Sequence, residues 1–317
     1  MLRPDQRYAI RAIRKCFCDR FAKQPQESHR HCTQGASTAR ALVTILPIHT
    51  LPTSQRSSAG LRSIVYLGGA VLIVQGIGPL LERASITEPA VVQIVLLSAG
   101  TTWTYALLCQ EGRPLSTLPF EQRATQTAYG TGLGAAAFLA AAAAAGACGW
   151  LHTTGWGWQR ADIATLVRSM IVRAITHAAY AWNEELVFRG YGYDLVQATL
   201  GPMSASLALT GLFAAYHQWR PQVLFGEAAL GLALLALRIK SGDIWLPIGY
   251  HFAWNFIQTG ILGPADGPVS ILPLQVTGPY LLIGRPGYPE PGLLMASANL
   301  LVALAIAFSQ WREKKTS

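Results

Sequence analysis

Charge is what this sequence has least of: only 13% of its 317 residues are Asp, Glu, Lys or Arg, against 51% hydrophobic. A soluble domain carries about twice that charged fraction, so the solvent for most of the chain is lipid rather than water. Several catalytic signatures are also missing. There is no HExxH, no GxSxG and no glycine-rich phosphate loop, which removes the soluble zincins, serine hydrolases and P-loop enzymes. The five cysteines lack the paired spacing of a zinc finger. Cys16, Cys18 and Cys32 sit near His29 and His31 without forming such a pattern, and Cys109 and Cys148 read as small packing residues in apolar segments.

The charge that is present is unevenly placed. Ten of the Lys and Arg residues fall within residues 1–60, against three acids, which suits a basic cytoplasmic end beside an anionic membrane surface. A nucleic-acid partner is not expected, because no basic surface with interleaved aromatics is present. The same 60 residues are too broken by polar side chains for a secretory signal. They read as a basic polar leader outside the core, whether a disordered tail, a targeting peptide or sequence upstream of the true start, ahead of a membrane domain over 61–310 and a basic cytoplasmic tail, 311–317.

Apolar runs of membrane-spanning length, about 20 residues, recur near 63–80, 90–109, 127–149, 163–181, 200–217, 222–238, 244–259 and 291–309. The expected fold is therefore all-α, a polytopic integral membrane bundle of about eight transmembrane helices. Eight passes put Arg113 and Arg123, Arg238 and Lys240, and the terminal "WREKKTS" on the side of the leader, in keeping with the positive-inside rule. Both termini are then cytoplasmic. The first, second, third and eighth runs are plainly apolar and read as a wall. Polar residues interrupt the middle ones, which is where function is expected, since polar groups at membrane depth face the bundle interior. The alanine-rich run at 135–147 suits close helix approach. The segment "ILPLQVTGPYLLI" is apolar enough to lie on or dip into the membrane surface, and "KSGD" at 240–243 reads as a tight turn.

The stretch "WNEELVFRG", residues 182–190, places two adjacent carboxylates and an arginine among apolar residues. On a helix Glu185 and Arg189 are four apart and share a face, whereas Glu184 points about 100° away. One carboxylate can be held by the arginine while the other remains a proton acceptor. Downstream, "LFAAYHQWR" carries His217, and "GYHFAWNFIQ" carries His251 and Asn255 one helical turn apart. Each cluster alone has a plainer explanation: an ion pair at a helix end, an interfacial histidine, or helix–helix glue. Three on three helices point together to one site. His177, seven before Glu184, Asn183 and Tyr216 are supporting residues around it, Gly190 lets the chain turn or pack closely after Arg189, and Glu227 is a candidate buried functional acid in an apolar helix, with nothing spaced to match it.

In that order, "EELVFR", "FAAYH" and "HFAWN" resemble the three signature stretches of the CPBP family of intramembrane proteases, which includes the type II CAAX prenyl endopeptidases and bacteriocin-processing or self-immunity proteins. The likeness covers about residues 60–310, with "EGRPLSTLPF" at 111–120 resembling the linker after an early helix. "QWRP" after His217 departs from the small residues usual there. The resemblance implies that Glu184 with His217 activates a water for attack on a peptide carbonyl, that Glu185 and Arg189 orient that pair, and that His251 and Asn255 stabilise the oxyanion. It also implies two schemes for metal: zinc held by Glu184, His217 and His251, or a metal-free glutamate mechanism. The implied substrate is a membrane protein or a lipidated peptide, and the implied location is the plasma membrane of a prokaryote. Two other classes stand beside this one: a catalytically silent membrane scaffold or immunity protein, and an ion-coupled transporter. An internal inverted repeat, frequent in secondary transporters, is not seen.

Overall fold

The computed structural model describes residues 53–112, 123–217, 220–284 and 292–316. Most of the leader, the 113–120 linker, Trp219 and most of "GRPGYPEPG" lie outside them. Each of the eight apolar runs is a helix. They are α1 (Thr53–Arg83), α2 (Pro89–Gln110), α3 (Arg123–Ala147), α4 (Ile163–Phe188), α6 (Pro202–His217), α7 (Pro221–Ser241), α8 (Trp245–Phe256) and α10 (Leu293–Thr316). Two shorter helices were not foreseen, α5 (Tyr191–Leu200) and α9 (Tyr280–Ile283). The fold is an all-α membrane bundle.

Among the described residues five helices, α1, α2, α3, α7 and α10, are long and apolar enough to cross a membrane. The other three large helices fail that test for reasons visible in their residues. Helix α4 carries Arg168, Arg173, Glu184 and Glu185, while α6 and α8 have 16 and 12 residues. The five are not equivalent. Only 6% of the apolar window of α1 and 17% of that of α10 are buried, against 56% for α7. Leu61, Ile64 and Leu72 of α1 and Leu301, Leu304 and Phe308 of α10 point outward, as lipid-facing walls do. Helix α7 is interior.

Ion pairs show which helix ends lie together. Arg62 meets Glu111 at 3.1 Å, Arg238 meets Asp194 at 3.4 Å, and Lys240 meets Glu313. These contacts tie the N-terminal half of α1 to the end of α2, and the C-terminal end of α7 to the first turn of α5 and the C-terminal end of α10. These paired charges gather at one end of the bundle. Towards the opposite end, β1 (Leu151–Thr153) pairs antiparallel with β2 (Leu274–Val276), so part of the apolar segment after residue 270 is a two-stranded ribbon. Strands of three residues are too short to show an alternation in sequence. Beside the ribbon, the exposed rings of Trp156 and Trp158 stack at 4.5 Å, an arrangement suited to a membrane–water interface.

The helix that carries His251 and Asn255 is held by unusually close packing. Cβ atoms added at Gly130 and Gly134 of α3 would fall 2.0 Å from the Leu246 carbonyl oxygen and 2.4 Å from that of Tyr250. From the other side, one at Gly249 would fall 2.1 Å from the Thr127 oxygen. The small-xxx-small spacing of 130 and 134 therefore lets the two backbones touch, and Ala141, Ala142 and Ala145 continue α3 as a buried stripe. Tyr250 and Trp254, four apart, fill the core face of α8. The Tyr250 hydroxyl donates to Asn299 Oδ1 at 2.8 Å, and the Trp254 ring lies edge-on to Phe138 at 5.0 Å. The same helical period leaves His251 and Asn255 on an adjoining face. Gly134→Ala is expected to destabilise the protein by about 1–3 kcal/mol, the usual cost of overpacking, checked by unfolding in detergent. A loss of activity larger than the loss of folded protein would show that α8 has shifted with its histidine.

Candidate active site

Helix α4 starts at the N-cap Asp162, whose carboxylate accepts from the Thr165 backbone N–H and hydroxyl, both at 2.8 Å. These bonds, the backbone one first, hold its carboxyl below the usual range. The helix then runs through to Phe188, with Arg189 as C-cap. The whole "WNEELVF" stretch is therefore the last two turns of α4, and Gly190 forms the bend into α5.

Glu185 is fully buried and is the centre of a network. Its Oε1 accepts from Arg189 Nη1 at 3.2 Å and pairs with His251 Nδ1 at 2.9 Å. Arg189, only 2% exposed, also donates through Nη2 to the Gly231 carbonyl on α7 at 3.2 Å. Its own carbonyl accepts from Arg238 Nε at 2.7 Å. The guanidinium lies 4.1 Å from the centroid of the Phe213 ring, a cation–π contact that favours the charge where water is excluded. One arginine thus joins α4, α6 and α7, and Glu185 adds α8.

Glu184 takes a different environment. Its Oε2 lies 3.7 Å from His251 Nε2, and this oxygen is buried without a protein hydrogen-bond partner among the described residues. Since Nδ1 of His251 is committed to Glu185, Nε2 is the edge presented to Glu184. The two adjacent carboxylates differ as their 100° offset requires: Glu185 is fastened to a cation, and Glu184 is not.

His217 ends α6 and does not meet Glu184 in an ion pair. Its Nδ1 is bonded to the Phe213 carbonyl at 2.8 Å, and its Nε2 lies 3.7 Å from Glu227 Oε2 on α7. The Phe213 ring stands between the two histidines, 4.8 Å from His217 and 6.2 Å from His251, centroid to centroid. Asn255 follows His251 by one turn, half-buried, and its side chain makes no hydrogen bond among the described residues.

The three supporting residues separate. Tyr216 is exposed and its ring meets that of His217 edge-on at 5.7 Å. His177 bonds through Nε2 to Thr259 Oγ1 at 2.7 Å, and Thr259 donates to the Asn255 carbonyl at 3.0 Å. It therefore reaches the site through the π-turn, Ile257–Ile261, that continues α8. Asn183 faces α2, with Oδ1 3.3 Å from where a Cβ on Gly100 would be. The partner that spacing did not supply is Glu227. Its signal was a carboxylate in an apolar helix, and only the packing of α6 against α7 gives it a neighbour.

The donor set named for zinc was Glu184, His217 and His251. Among the described residues no group of three His, Cys, Asp or Glu side chains is placed to hold a metal ion. Glu184 adjoins His251, while His217 meets Glu227, so the three side chains do not converge on one ion.

Residues 164–257 match the family model described as Rce1-like, type II CAAX prenyl endopeptidase Rce1-like. The match runs from the first turn of α4 to the end of α8 and contains all three motifs, as the resemblance read from them requires. This match supports a peptidase-like function, and together with the apolar helices it supports an integral membrane protein. No curated protein and no solved structure matches the chain.

Proposed function

We propose that the protein is an intramembrane endopeptidase that hydrolyses a peptide bond of a membrane protein or lipidated peptide, with Glu184 as the base that activates water. The observation that carries this reading is the contrast between the two glutamates. Glu185 is neutralised by Arg189 at 3.2 Å and fixes His251. Each glutamate keeps one buried oxygen without a protein hydrogen bond among the described residues, but only that of Glu184 belongs to a carboxylate with no arginine ion pair, and such a carboxylate is a ready acceptor for a water proton.

In this reading His251 and Asn255 stabilise the oxyanion of the tetrahedral intermediate, because donors one helical turn apart can converge on one oxygen in a dry site. His217, on the other side of Phe213, completes the site. The chain sits in the plasma membrane of a prokaryote, with the end that holds Arg238 and Lys240 cytoplasmic.

Cleavage of a peptide library that includes farnesylated C-terminal peptides, by purified protein in nanodiscs, tests the proposal, with metal content read on the same samples. Glu184-dependent products would support it and their masses would name the substrate class. Stoichiometric zinc in the active protein would overturn the metal-free form. Asn255→Ala is expected to lower kcat by about 10²–10³-fold, as loss of one oxyanion donor does. A change confined to KM would remove Asn255 from that role.

A further inference from the structure

Glu227 is not one of the residues assigned above, yet it is the acid placed beside His217. It is 2% exposed on α7, flanked by Gly226, Ala228 and Ala229 in the most buried of the five apolar helices. Burying a carboxylate costs several kcal/mol, and in a membrane bundle such groups are kept where they have work to do.

Its surroundings place it in the same assembly as the catalytic glutamates. Gly231, one turn further along α7, has its carbonyl bound by Arg189, and Arg189 also holds Glu185. The His217 ring is gripped on both edges, by its own backbone one turn earlier through Nδ1 and by Glu227 at Nε2. A separation of 3.7 Å is an electrostatic contact rather than a direct hydrogen bond, enough to set which way the ring faces.

We propose that Glu227 is a positioning residue that holds the Nε2 edge of His217, so that the site contains two carboxylate–imidazole pairs, Glu227–His217 and Glu185–His251, on either side of Phe213. This repeats the arrangement in which an acting imidazole is oriented by a third group. The role of His217 in cleavage rests on the endopeptidase reading; the Glu227–His217 contact does not.

The test uses the full chain in nanodiscs and two readouts. In peptide cleavage, Glu227→Gln is expected to lower kcat by about 100-fold with KM unchanged, and to cause no further loss in a His217→Ala background, since coupled residues are not additive. In NMR of protein carrying isotope-labelled histidine, with the His217 signal identified by its loss in His217→Ala, Glu227→Gln is expected to move the His217 ring signal and leave that of His251 in place. If Glu227→Gln does not insert, Glu227→Asp replaces it, keeping the charge but withdrawing it by one methylene, and the same His217 signal must move. An unmoved signal, or losses that multiply in the double variant, overturns the proposal. A moved signal in a protein that cleaves no peptide upholds the positioning contact and removes the endopeptidase reading instead.

Discussion

Glu184→Gln is expected to lower peptide cleavage by about 10³–10⁴-fold, towards the upper end of what a positioned general base contributes, while leaving the protein inserted and folded. The substitution changes one oxygen into an amide and preserves volume. It touches neither the Glu185–Arg189 pair nor the bond from Glu185 to His251, at 3.2 and 2.9 Å. Stability is therefore expected to stay close to that of the unaltered protein. Single-turnover cleavage separates the chemical step from binding, and thermal unfolding in the same nanodiscs supplies the folding control. Activity within a few-fold of the unaltered protein would remove Glu184 as the base and leave the contrast between the two glutamates without a catalytic meaning.

Removing Arg189 is expected to have the opposite profile, a loss of stability first. Arg189→Met leaves the Glu185 carboxylate buried with no guanidinium beside it, and breaking a buried pair from one side costs about 3–5 kcal/mol. The links to Gly231 on α7 and to the Phe213 ring go with it. The double variant Glu185→Gln with Arg189→Met is expected to recover a substantial part of that loss, because the stranded charge is then gone. Denaturation in detergent of the two single variants and the double variant closes the cycle. A loss for Arg189→Met that the double variant does not reduce would assign the arginine's value to packing rather than to charge.

The contrast between these expectations bears on how far the site was readable. Glu185 and Arg189 are four apart on one helix, so their meeting at 3.2 Å needs only helical geometry. The same holds for His251 and Asn255 on one face of α8 and for Tyr250 and Trp254 on the next. Helical runs were legible because lipid requires long apolar segments with internally satisfied backbones. The glycine at 190 marked the turn after Arg189, whereas the ribbon formed by β1 and β2 and the π-turn after α8 were not legible, since each is shorter than any period that a sequence pattern can display.

Pairing across helices follows another rule. The family resemblance implies that Glu184 and His217 act together, yet the ion-pair contacts they make are with His251 and Glu227, each at 3.7 Å. Glu227 and His217 lie on different helices, and the packing of α6 on α7 brings them together rather than any spacing along one of them. The close approach of α3 to α8 at Gly130, Gly134 and Gly249 likewise depends on which faces meet.

The sequence by itself determined the solvent, the helical runs and the residues that share a face within one helix, because hydropathy and the 3.6-residue period act locally along the chain. Only the tertiary structure decided which carboxylate meets which histidine, since that depends on the separation and rotation of packed helices, and a difference of a few ångströms at low dielectric selects one ion pair over another.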